Sequence, residues 1–421
     1  MGASKIKILI VSRTPWNEAN SFGNTFTNLF EGMENVKIAN ICCQGGAMNS
    51  RLIEESFQLT DKDVCKSIIG PRPGHLIKNN TCGSSFSKPN VPRKAIFYAL
   101  REVIWLVGRW KSKKLNKFIK DFNPDILYLP IYRSHYMCAV DKYIIKLTGV
   151  PYVVHITDDI YNYPPNSSCI TKQLQRIIRS DIRQILKNAT YGEVFSPVMA
   201  KEYSNEFTIP FHLIGKSVNI KSLPPIPEKR QEKVIRFVYT GNYGGERGKQ
   251  LIRFAQVITE TFPYGTAVLY IYSATRADEE IQKQLENIDC VELKGAVSPD
   301  KILATQQAAD YLVHVEGFSS EAIFESRLSF STKIIDYLIA ARPIIAIGPK
   351  EVTSMQVLKD NDMAHIAGSV SELVSILKRI SGRKTDDGVK VNNGRKYLLK
   401  HRNSELMKTE IFHRIEQLVK Q

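Results

Sequence analysis

The sequence predicts an α/β protein with two domains, each built on a doubly wound, mainly parallel sheet. Its 421 residues suit two domains of roughly 200 residues each. Short apolar runs, typical of buried parallel strands, alternate with helix-like segments along both halves of the chain. The contents of 43% hydrophobic and 24% charged residues are typical of a soluble globular protein. They exclude a disordered, collagen-like or coiled-coil chain.

The first half of the chain contains several short apolar runs. Residues 6–11 and 36–42 are predicted strands, and residues 25–33 between them form a predicted helix. Residues 125–129 and 152–156 are two further runs, each entered through a proline. Their length and their flanking residues favour buried strands.

The alternation stops at residues 222–233, where three prolines stand among charged residues, a composition typical of an interdomain linker. It then restarts. The later predicted elements are a helix at 248–261 and strands at 235–240, 267–272, 290–293, 311–315 and 343–347.

These breaks predict a domain organisation. We expect an N-terminal domain at 1–215, a linker at 216–233 and a second domain at 234–391. Residues 392–421 are expected to form a C-terminal helix that packs back across the domains. Ligands of open α/β sheets bind at the carboxyl ends of the strands, so two facing domains predict a binding cleft.

The chain is strongly basic. Lys and Arg number 58 against 42 for Asp and Glu, which gives a net charge of +16 and a pI near 9.4. This excess favours polyanionic partners without choosing between nucleic acid, an anionic membrane and phosphorylated ligands. The sequence contains no RNP, KH, zinc or helix-turn-helix signature, so nucleic acid is not expected.

The cysteines and the N-terminus favour an intracellular protein. Seven cysteines are scattered without a CxxC pair, which indicates neither a zinc site nor a disulfide framework. The first apolar run is too short for a signal peptide, and no stretch approaches the ~20 apolar residues of a membrane span. We therefore expect a cytoplasmic protein.

Two segments of the second half carry groups suited to a diphosphate. In the first, residues 239–249, Gly241 follows a strand, and Arg247 and Lys249 open a helix, where backbone N–H groups bind anions. A tight turn with solvated charges explains this pattern equally well. In the second, Ser331 or Thr332 can cap a helix that ends before a buried strand.

Taken together, three ordered segments resemble the donor-binding domain of GT-B-fold glycosyltransferases, specifically the retaining family four, or "group 1", type. They are residues 238–248, residues 291–297 (the V-x-L-x-G-x-V pattern) and residues 333–346 (an acidic helix followed by a buried strand). The resemblance implies two Rossmann-like domains facing across a cleft. It also implies transfer of a sugar, with retention, from a nucleoside-diphosphate sugar to a hydroxyl. Neither a metal nor another cofactor is expected, because basic side chains and helix N-termini neutralise the leaving diphosphate.

The resemblance assigns roles to residues of the donor site. It implies that Arg247 holds the diphosphate, that the backbone around Ser331 and Thr332 touches the phosphates, and that Asp336 binds the ribose. Asn242 stands where the family has a second basic residue.

Either Lys249 or Lys333 would have to supply the charge that Asn242 lacks. The family's first signature glutamate also falls on Leu328. Glu316 begins a matching E-G-F triplet, but it lies twenty positions before Asp336, which would require an insertion.

In the N-terminal domain, the resemblance implies that the loop carrying Gly23 approaches the diphosphate and the acceptor. It implies that His155, after a predicted strand, hydrogen-bonds the donor sugar, and that Asp158 or Asp159 steers the acceptor hydroxyl. The alternative is a buried structural histidine and a helix-capping aspartate.

Residues 93–120 are predicted to form a basic amphipathic helix with Trp105 and Trp110 at its boundary, a pattern suited to an anionic membrane surface. A solvated helix that covers the sheet is the alternative. The basic residues are Arg93, Lys94, Arg101, Arg109, Lys111, Lys113, Lys114, Lys117 and Lys120.

The expected function is assembly of a polysaccharide or glycolipid at the inner face of the membrane, with a saccharide or lipid-linked acceptor. Two alternatives stay open: a non-catalytic GT-B-like binding protein, and a non-hydrolysing sugar-nucleotide epimerase.

Overall fold

The computed structural model describes residues 5–53, 55–78, 95–163, 169–228, 230 and 232–420. The chain forms two compact units. The first comprises Met1–Ser217 together with Glu405–Gln421, and the second comprises Val218–Ser404. The domain boundaries expected from the sequence stay predictions.

The first unit is a mainly parallel sheet with helices between its strands. Its strand order is β4-β3-β2-β1-β5-β6-β7-β8, and of these pairs only β3–β4 is antiparallel. Its elements are β1 (Ile6–Ser12), α1 (Ser21–Phe30), β2 (Val36–Cys42), β3 (Glu55–Gln58), α2 (Asp61–Lys66), β4 (His75–Lys78), α3 (Ala95–Val107), α4 (Lys113–Phe122), β5 (Ile126–Pro130), α5 (His135–Thr148), β6 (Tyr152–Ile156), α6 (Cys169–Asn188), β7 (Tyr191–Val194), α7 (Pro197–Glu206) and β8 (Phe211–Leu213).

The second unit contains a six-stranded parallel sheet of order β11-β10-β9-β12-β13-β14. A 3-10 turn at Ile220–Ser222 precedes it. Its elements are β9 (Ile235–Thr240), α8 (Glu246–Thr261), β10 (Ala267–Tyr272), α9 (Glu279–Glu286), β11 (Val291–Gly295), α10 (Pro299–Gln307), β12 (Tyr311–Val315), α11 (Ser320–Ser326), α12 (Thr332–Ala340), β13 (Ile344–Ile347), α13 (Thr353–Asp360), β14 (His365–Ala367), α14 (Val370–Ser381) and α15 (Asp387–His401).

The chain ends with α16 (Ser404–Lys420), which completes the core of the first unit. Ile411 and Ile415 of this helix are fully buried in one cluster with Tyr128 and Val153 of the central strands. Two helices, α15 and α16, cover most of the region where a C-terminal helix was predicted from residue 392.

The proline-rich segment lies against the second unit. Arg342 donates from Nη1 to the carbonyl of Glu228 (2.8 Å), and Arg395 donates from Nη2 to the carbonyl of Pro224 (2.6 Å). Guanidinium groups that satisfy these carbonyls fix residues 223–228, which form no helix or strand.

The basic segment at 93–120 differs from its prediction. It forms two helices, α3 and α4, separated by residues 108–112. Trp105 is only 1% exposed, and its indole Nε1 donates to Asp61 (2.8 Å), while Trp110 is buried as well. Neither tryptophan therefore lies at an exposed helix boundary. Arg93 and Lys94 fall outside the described residues.

Within the described part of the chain, no helix has both the length and the apolar character needed to span a membrane.

Candidate functional site

A glycine-containing turn joins β9 to α8 in the second unit. Gly241 has φ +133° and Gly245 has φ +58°, backbone conformations that side chains disfavour. Gly245 caps α8 without a side-chain hydrogen bond. The turn therefore leads directly into a helix N-terminus at the carboxyl end of a central strand, the usual ligand edge of such sheets.

The N-terminus of α12 reaches the same turn. A Cβ atom on Gly241 would overlap the Lys333 ammonium group, so the glycine makes room for this lysine. Lys333 Nζ also lies 3.4 Å from the Tyr239 hydroxyl. Ser331 donates its backbone N–H to the Oγ of buried Ser354 (3.0 Å), which holds the first turn of α12 in place.

Lys333 is a perturbed cation. Burial, reinforced by the neighbouring positive charge of Arg247, lowers the pKa of Lys333 to about 8, although Glu316 opposes this shift. An anion bound beside both cations would relieve the repulsion between them.

Glu316 connects Arg247 to the buried part of the site. Its carboxylate is buried at the end of β12, 3.5 Å from Arg247 Nη2 and 3.2 Å from His314 Nε2. Burial alone would raise the pKa of Glu316. His314 and Arg247 outweigh that effect, and the pKa lies below its usual value. The group therefore stays charged and orients the half-exposed guanidinium.

Glu316 was not among the predicted site residues. The available signal was its E-G-F triplet directly after a buried strand. The position predicted for the family's glutamate, Leu328, is a buried apolar residue instead. Residues 319–331, which include α11, stand between Glu316 and α12.

Tyr337 is a second residue that the sequence analysis missed. Its buried hydroxyl accepts from the Thr240 N–H (3.1 Å) and donates to the carbonyl of Val313 (3.1 Å). These bonds tie α12 to the end of β9 and to the middle of β12. Tyr337 therefore positions the lysine-bearing helix against both strands.

The other predicted donor residues take different positions. Asn242 is exposed, and its Oδ1 accepts from the Gly244 N–H (2.8 Å), which stabilises the turn. Lys249 is 64% exposed and pairs with Glu246 (2.7 Å). Thr332 is exposed and Asp336 is half-buried on α12. Of the two lysines considered as substitutes for the missing charge, only Lys333 lies against the Gly241 turn.

In the first unit, His155 lies in the core. It is 2% exposed, its ring centroid is 4.9 Å from that of Phe26, and its Nδ1 is 3.2 Å from the Tyr128 hydroxyl. Glu193, fully buried, lies 4.0 Å from the same nitrogen. Among the described residues, His155 Nε2 has no hydrogen-bond partner.

The two aspartates after β6 differ in environment. Asp159 is buried and accepts from the Tyr203 hydroxyl (2.9 Å) and from the Asn162 N–H (3.1 Å), so it organises the loop. Asp158 is exposed and accepts from the Thr157 hydroxyl (3.1 Å). Of these two carboxylates, Asp158 is the one open to solvent.

Gly23 lies in the first turn of α1, which Asn20 caps by accepting from the Gly23 N–H (2.7 Å). This cap explains why the helix begins at Ser21 rather than at residue 25. A Cβ on Gly23 would overlap the Asn17 carbonyl, so close backbone packing requires glycine here. The binding and catalytic roles expected of all these residues stay predictions.

Solved structures share this fold over nearly the whole chain. Sucrose-phosphate synthase from Thermosynechococcus elongatus matches with a TM-score of 0.63 at 12% identity, covering 98% of this chain and 99% of that chain. A glycosyltransferase from Rickettsia africae matches with a TM-score of 0.61 at 13% identity, covering 99% and 100%. HepE of Anabaena, solved in complex with UDP and glucose, matches with a TM-score of 0.63 at 13% identity, covering 98% and 100%.

No family model and no curated protein matches the chain. The structural similarities confirm the predicted fold class: the chain has the GT-B fold, with two Rossmann-like units, shared by these glycosyltransferases.

Proposed function

We propose that this protein is a glycosyltransferase that moves a sugar from a nucleoside-diphosphate sugar to a hydroxyl acceptor. The observation that carries the proposal is the convergence of Arg247, Lys333 and the Gly241 turn at the carboxyl ends of β9 and β12. Two cations and two helix N-termini at one sheet edge suit a diphosphate. HepE, a protein of the same fold, was solved with UDP and glucose, which supports this choice of ligand.

In the proposed site, Lys333 supplies the positive charge that Asn242 cannot supply. Lys333 and Arg247 would neutralise the diphosphate as it leaves, without a metal ion, while Glu316 holds the guanidinium in place. Asp336, on the next turn of α12, would bind the ribose hydroxyls.

Retention is the stereochemical part of the proposal. The leaving phosphate oxygen would take the proton of the acceptor hydroxyl. The acceptor oxygen would then bond to the anomeric carbon on the face that the phosphate leaves, so the product keeps the anomeric configuration of the donor. Proton NMR of the first product formed distinguishes the two anomers. An inverted product would contradict this part alone.

Thermal shift in metal-free buffer tests donor binding, with UDP, GDP, ADP, CDP and their sugars as ligands. A ligand at ~100 times its Kd stabilises the folded state by about 2.7 kcal/mol, which gives a clear rise in Tm. We expect one nucleotide to stand out. A flat panel would instead favour the non-catalytic alternative. Isomerisation of a sugar nucleotide without an acceptor would favour the epimerase.

We also propose that α3 attaches the protein to an anionic membrane, where a lipid-linked acceptor would lie. Leu100, Val103 and Leu106 recur on one exposed side of the helix, and Leu106 is 70% exposed. The turn bearing exposed Ile69 is held beside the end of α3, because Arg109 Nε donates to the Ser67 carbonyl (2.7 Å). Exposed apolar side chains next to basic residues suit an anionic lipid surface.

Co-sedimentation with vesicles tests this attachment. We expect binding to vesicles that contain phosphatidylglycerol and a marked loss for the double variant Val103→Ser/Leu106→Ser. Ile177→Ser, at an exposed apolar position on α6, is the matched control and should bind normally. Equal binding by the double variant and the control would contradict the assignment to α3.

A further inference from the structure

A separate cavity of about 770 Å³ lies in the first unit, between the outer strands of its sheet and α4. This volume falls within the range of small-molecule sites, which is roughly 300–1,000 Å³. None of the donor-site residues of the second unit lines it. Its lining residues are Lys5, Val36, Lys37, Ile38, Ala39, Leu52, Phe57, Gly74, His75, Leu76, Lys114, Lys117, Phe118, Asp121 and Phe122.

The cavity runs along one face of the sheet. It extends from the amino ends of β1 and β2 to Phe57 and Leu76, which pair with each other beside the carboxyl half of β2. Lys5 and Val36 stand at the amino ends of β1 and β2, and Phe122 ends α4 just before β5. Catalytic and nucleotide sites of open α/β sheets lie at the carboxyl ends. The cavity shares no lining residue with the predicted donor site or with the predicted acceptor residues His155 and Asp158.

The inner wall of the cavity is apolar. Ile38, Ala39 and Phe57 are buried, and Phe118 faces Phe57 with ring centroids 5.5 Å apart. Leu76 of β4 is 52% exposed at the cavity, an arrangement that leaves apolar surface in contact with water. A ligand that covers this surface gains free energy in proportion to the area buried.

The rim of the cavity is positively charged. Lys5, Lys37 and Lys114 are exposed, and no ion pair is recorded for them among the described residues. Asp121, the only carboxylate among the described lining residues, is paired with Lys117 (2.8 Å). The rim thus carries unneutralised positive charge. Of the lining residues that the structure describes, none has a buried polar side chain.

We propose that this cavity binds a medium-chain fatty acid, with the alkyl chain against Phe57 and Phe118 and the carboxylate among the rim lysines. The reason is the separation of the two chemistries. A wall without buried hydrogen-bonding side chains selects a ligand that is apolar along its length, and a cationic rim selects one with a single anionic end. Neither feature depends on the donor site, so this inference is independent of the proposed glycosyl transfer.

The affinity of this cavity should depend on the chain length and the charge of the ligand. Calorimetric titration of the full chain with octanoate, decanoate and dodecanoate, below their micellar concentrations, should show affinity rising roughly fourfold for each added methylene. Dodecanol, which has the same chain without the charge, should bind more weakly, and dodecylamine should bind most weakly. Inorganic phosphate alone should not bind detectably at this site.

Two variants locate the bound ligand. Leu76→Glu places a carboxylate at an exposed position of the wall, and Lys37→Glu/Lys114→Glu reverses two rim charges. We expect each to weaken dodecanoate binding by roughly tenfold or more. Lys187→Glu, on the exposed side of α6, is the matched control and should bind like the wild type.

Nucleotide-induced thermal shift or, if no nucleotide binds, an unchanged Tm verifies that each variant is folded. Affinity independent of chain length, or equal for dodecanoate and dodecylamine, would overturn the proposal. So would binding that both variants leave unchanged, because the fatty acid would then occupy another place.

Discussion

The ammonium group of Lys333 lies near the guanidinium of Arg247 in the site of the second unit. The net charge of this site therefore depends mainly on whether Lys333 is protonated. Burial and Arg247 lower the pKa of Lys333 to about 8. The lysine is therefore mostly charged at pH 7 and mostly neutral above pH 9. A bound diphosphate would stabilise the charged form and raise this pKa.

Lys333→Met tests the role of this charge. We expect metal-free calorimetry to show that the wild type binds the nucleotide selected by thermal shift more weakly as the pH rises from 7 to 9.5, because the cation is lost. The variant should bind roughly tenfold more weakly at pH 7, the effect of one charge-assisted hydrogen bond, with little further loss as the pH rises. Lys249→Met is the control and should keep the wild-type profile.

Asp141 on α5 is a buried carboxyl with no hydrogen-bond partner among the described residues. Burial raises its pKa well above the usual value. Because the folded state holds this proton more tightly than the unfolded state, the free energy of unfolding falls as the pH rises above the unfolded pKa of about 4. The group therefore destabilises the first unit at neutral and alkaline pH.

Asp141→Asn should raise the free energy of unfolding at pH 8 by more than about 1 kcal/mol, the equivalent of a single pKa unit. Urea unfolding at pH 5 and pH 8 measures the change, which should be larger at pH 8. Asp121→Asn, at an exposed position, should change stability by less than about 0.5 kcal/mol. A less stable Asp141→Asn protein would mean that the carboxylate has a favourable partner.

Some site residues could be predicted from the sequence, and others could not. Arg247, Gly241 and Lys333 were predicted because each stands beside a local signal, a strand end or a helix start. Glu316 was missed because it lies twenty positions before Asp336, and only the folded chain brings it to Arg247. Trp105 was misplaced because its partner, Asp61, is 44 positions away in the sequence.

Among the elements, α16 depends on a buried ion pair. Arg414 Nη2 lies 3.4 Å from Oε1 of Glu193, a fully buried carboxylate that also accepts from the Tyr128 hydroxyl. Burial opposes the charge of Glu193, but His155, Tyr128 and Arg414 outweigh it and lower the pKa. The last helix thus neutralises a charge in the core of the first unit.

Arg414→Met should cost roughly 3–5 kcal/mol in the free energy of unfolding, because it leaves Glu193 buried without its cation. Chemical unfolding followed by tryptophan fluorescence reports on the first unit, which holds Trp16, Trp105 and Trp110. The double variant Arg414→Met/Glu193→Gln should recover part of the loss. Lys420→Met, at an exposed position, is the control. Equal stability of Arg414→Met and the control would show that the pair contributes nothing.

Strands were better predicted than helices. The predicted strand at 36–42 matches β2, and that at 311–315 matches β12, since buried parallel strands are continuous apolar runs. The helix predicted at 25–33 begins at Ser21 instead, because the side chain of Asn20 caps its N-terminus there. The break between α3 and α4 was missed. It begins at Gly108, where a Cβ would overlap the Val64 side chain.

At the level of the whole molecule, the two units are predictable because each repeats the same local alternation of strand and helix. The packing of α16 in the first unit was not predicted, since it depends on tertiary contacts of Ile411 and Ile415. The cavity beside α4 could not be predicted, because it arises from the packing of elements and leaves no motif. The fold can therefore be predicted from the sequence better than the sites can.

We propose above that Arg247 and Lys333 form the diphosphate site of a glycosyltransferase. The most direct test is metal-free calorimetry of the Arg247→Ala variant with the nucleotide selected by thermal shift. Its matched control is Arg253→Ala, an exposed arginine on the same helix. We predict a roughly 10- to 100-fold loss of affinity for Arg247→Ala, as expected for a charge-assisted contact, and wild-type affinity for the control. Equal affinity in the two variants would contradict the assignment.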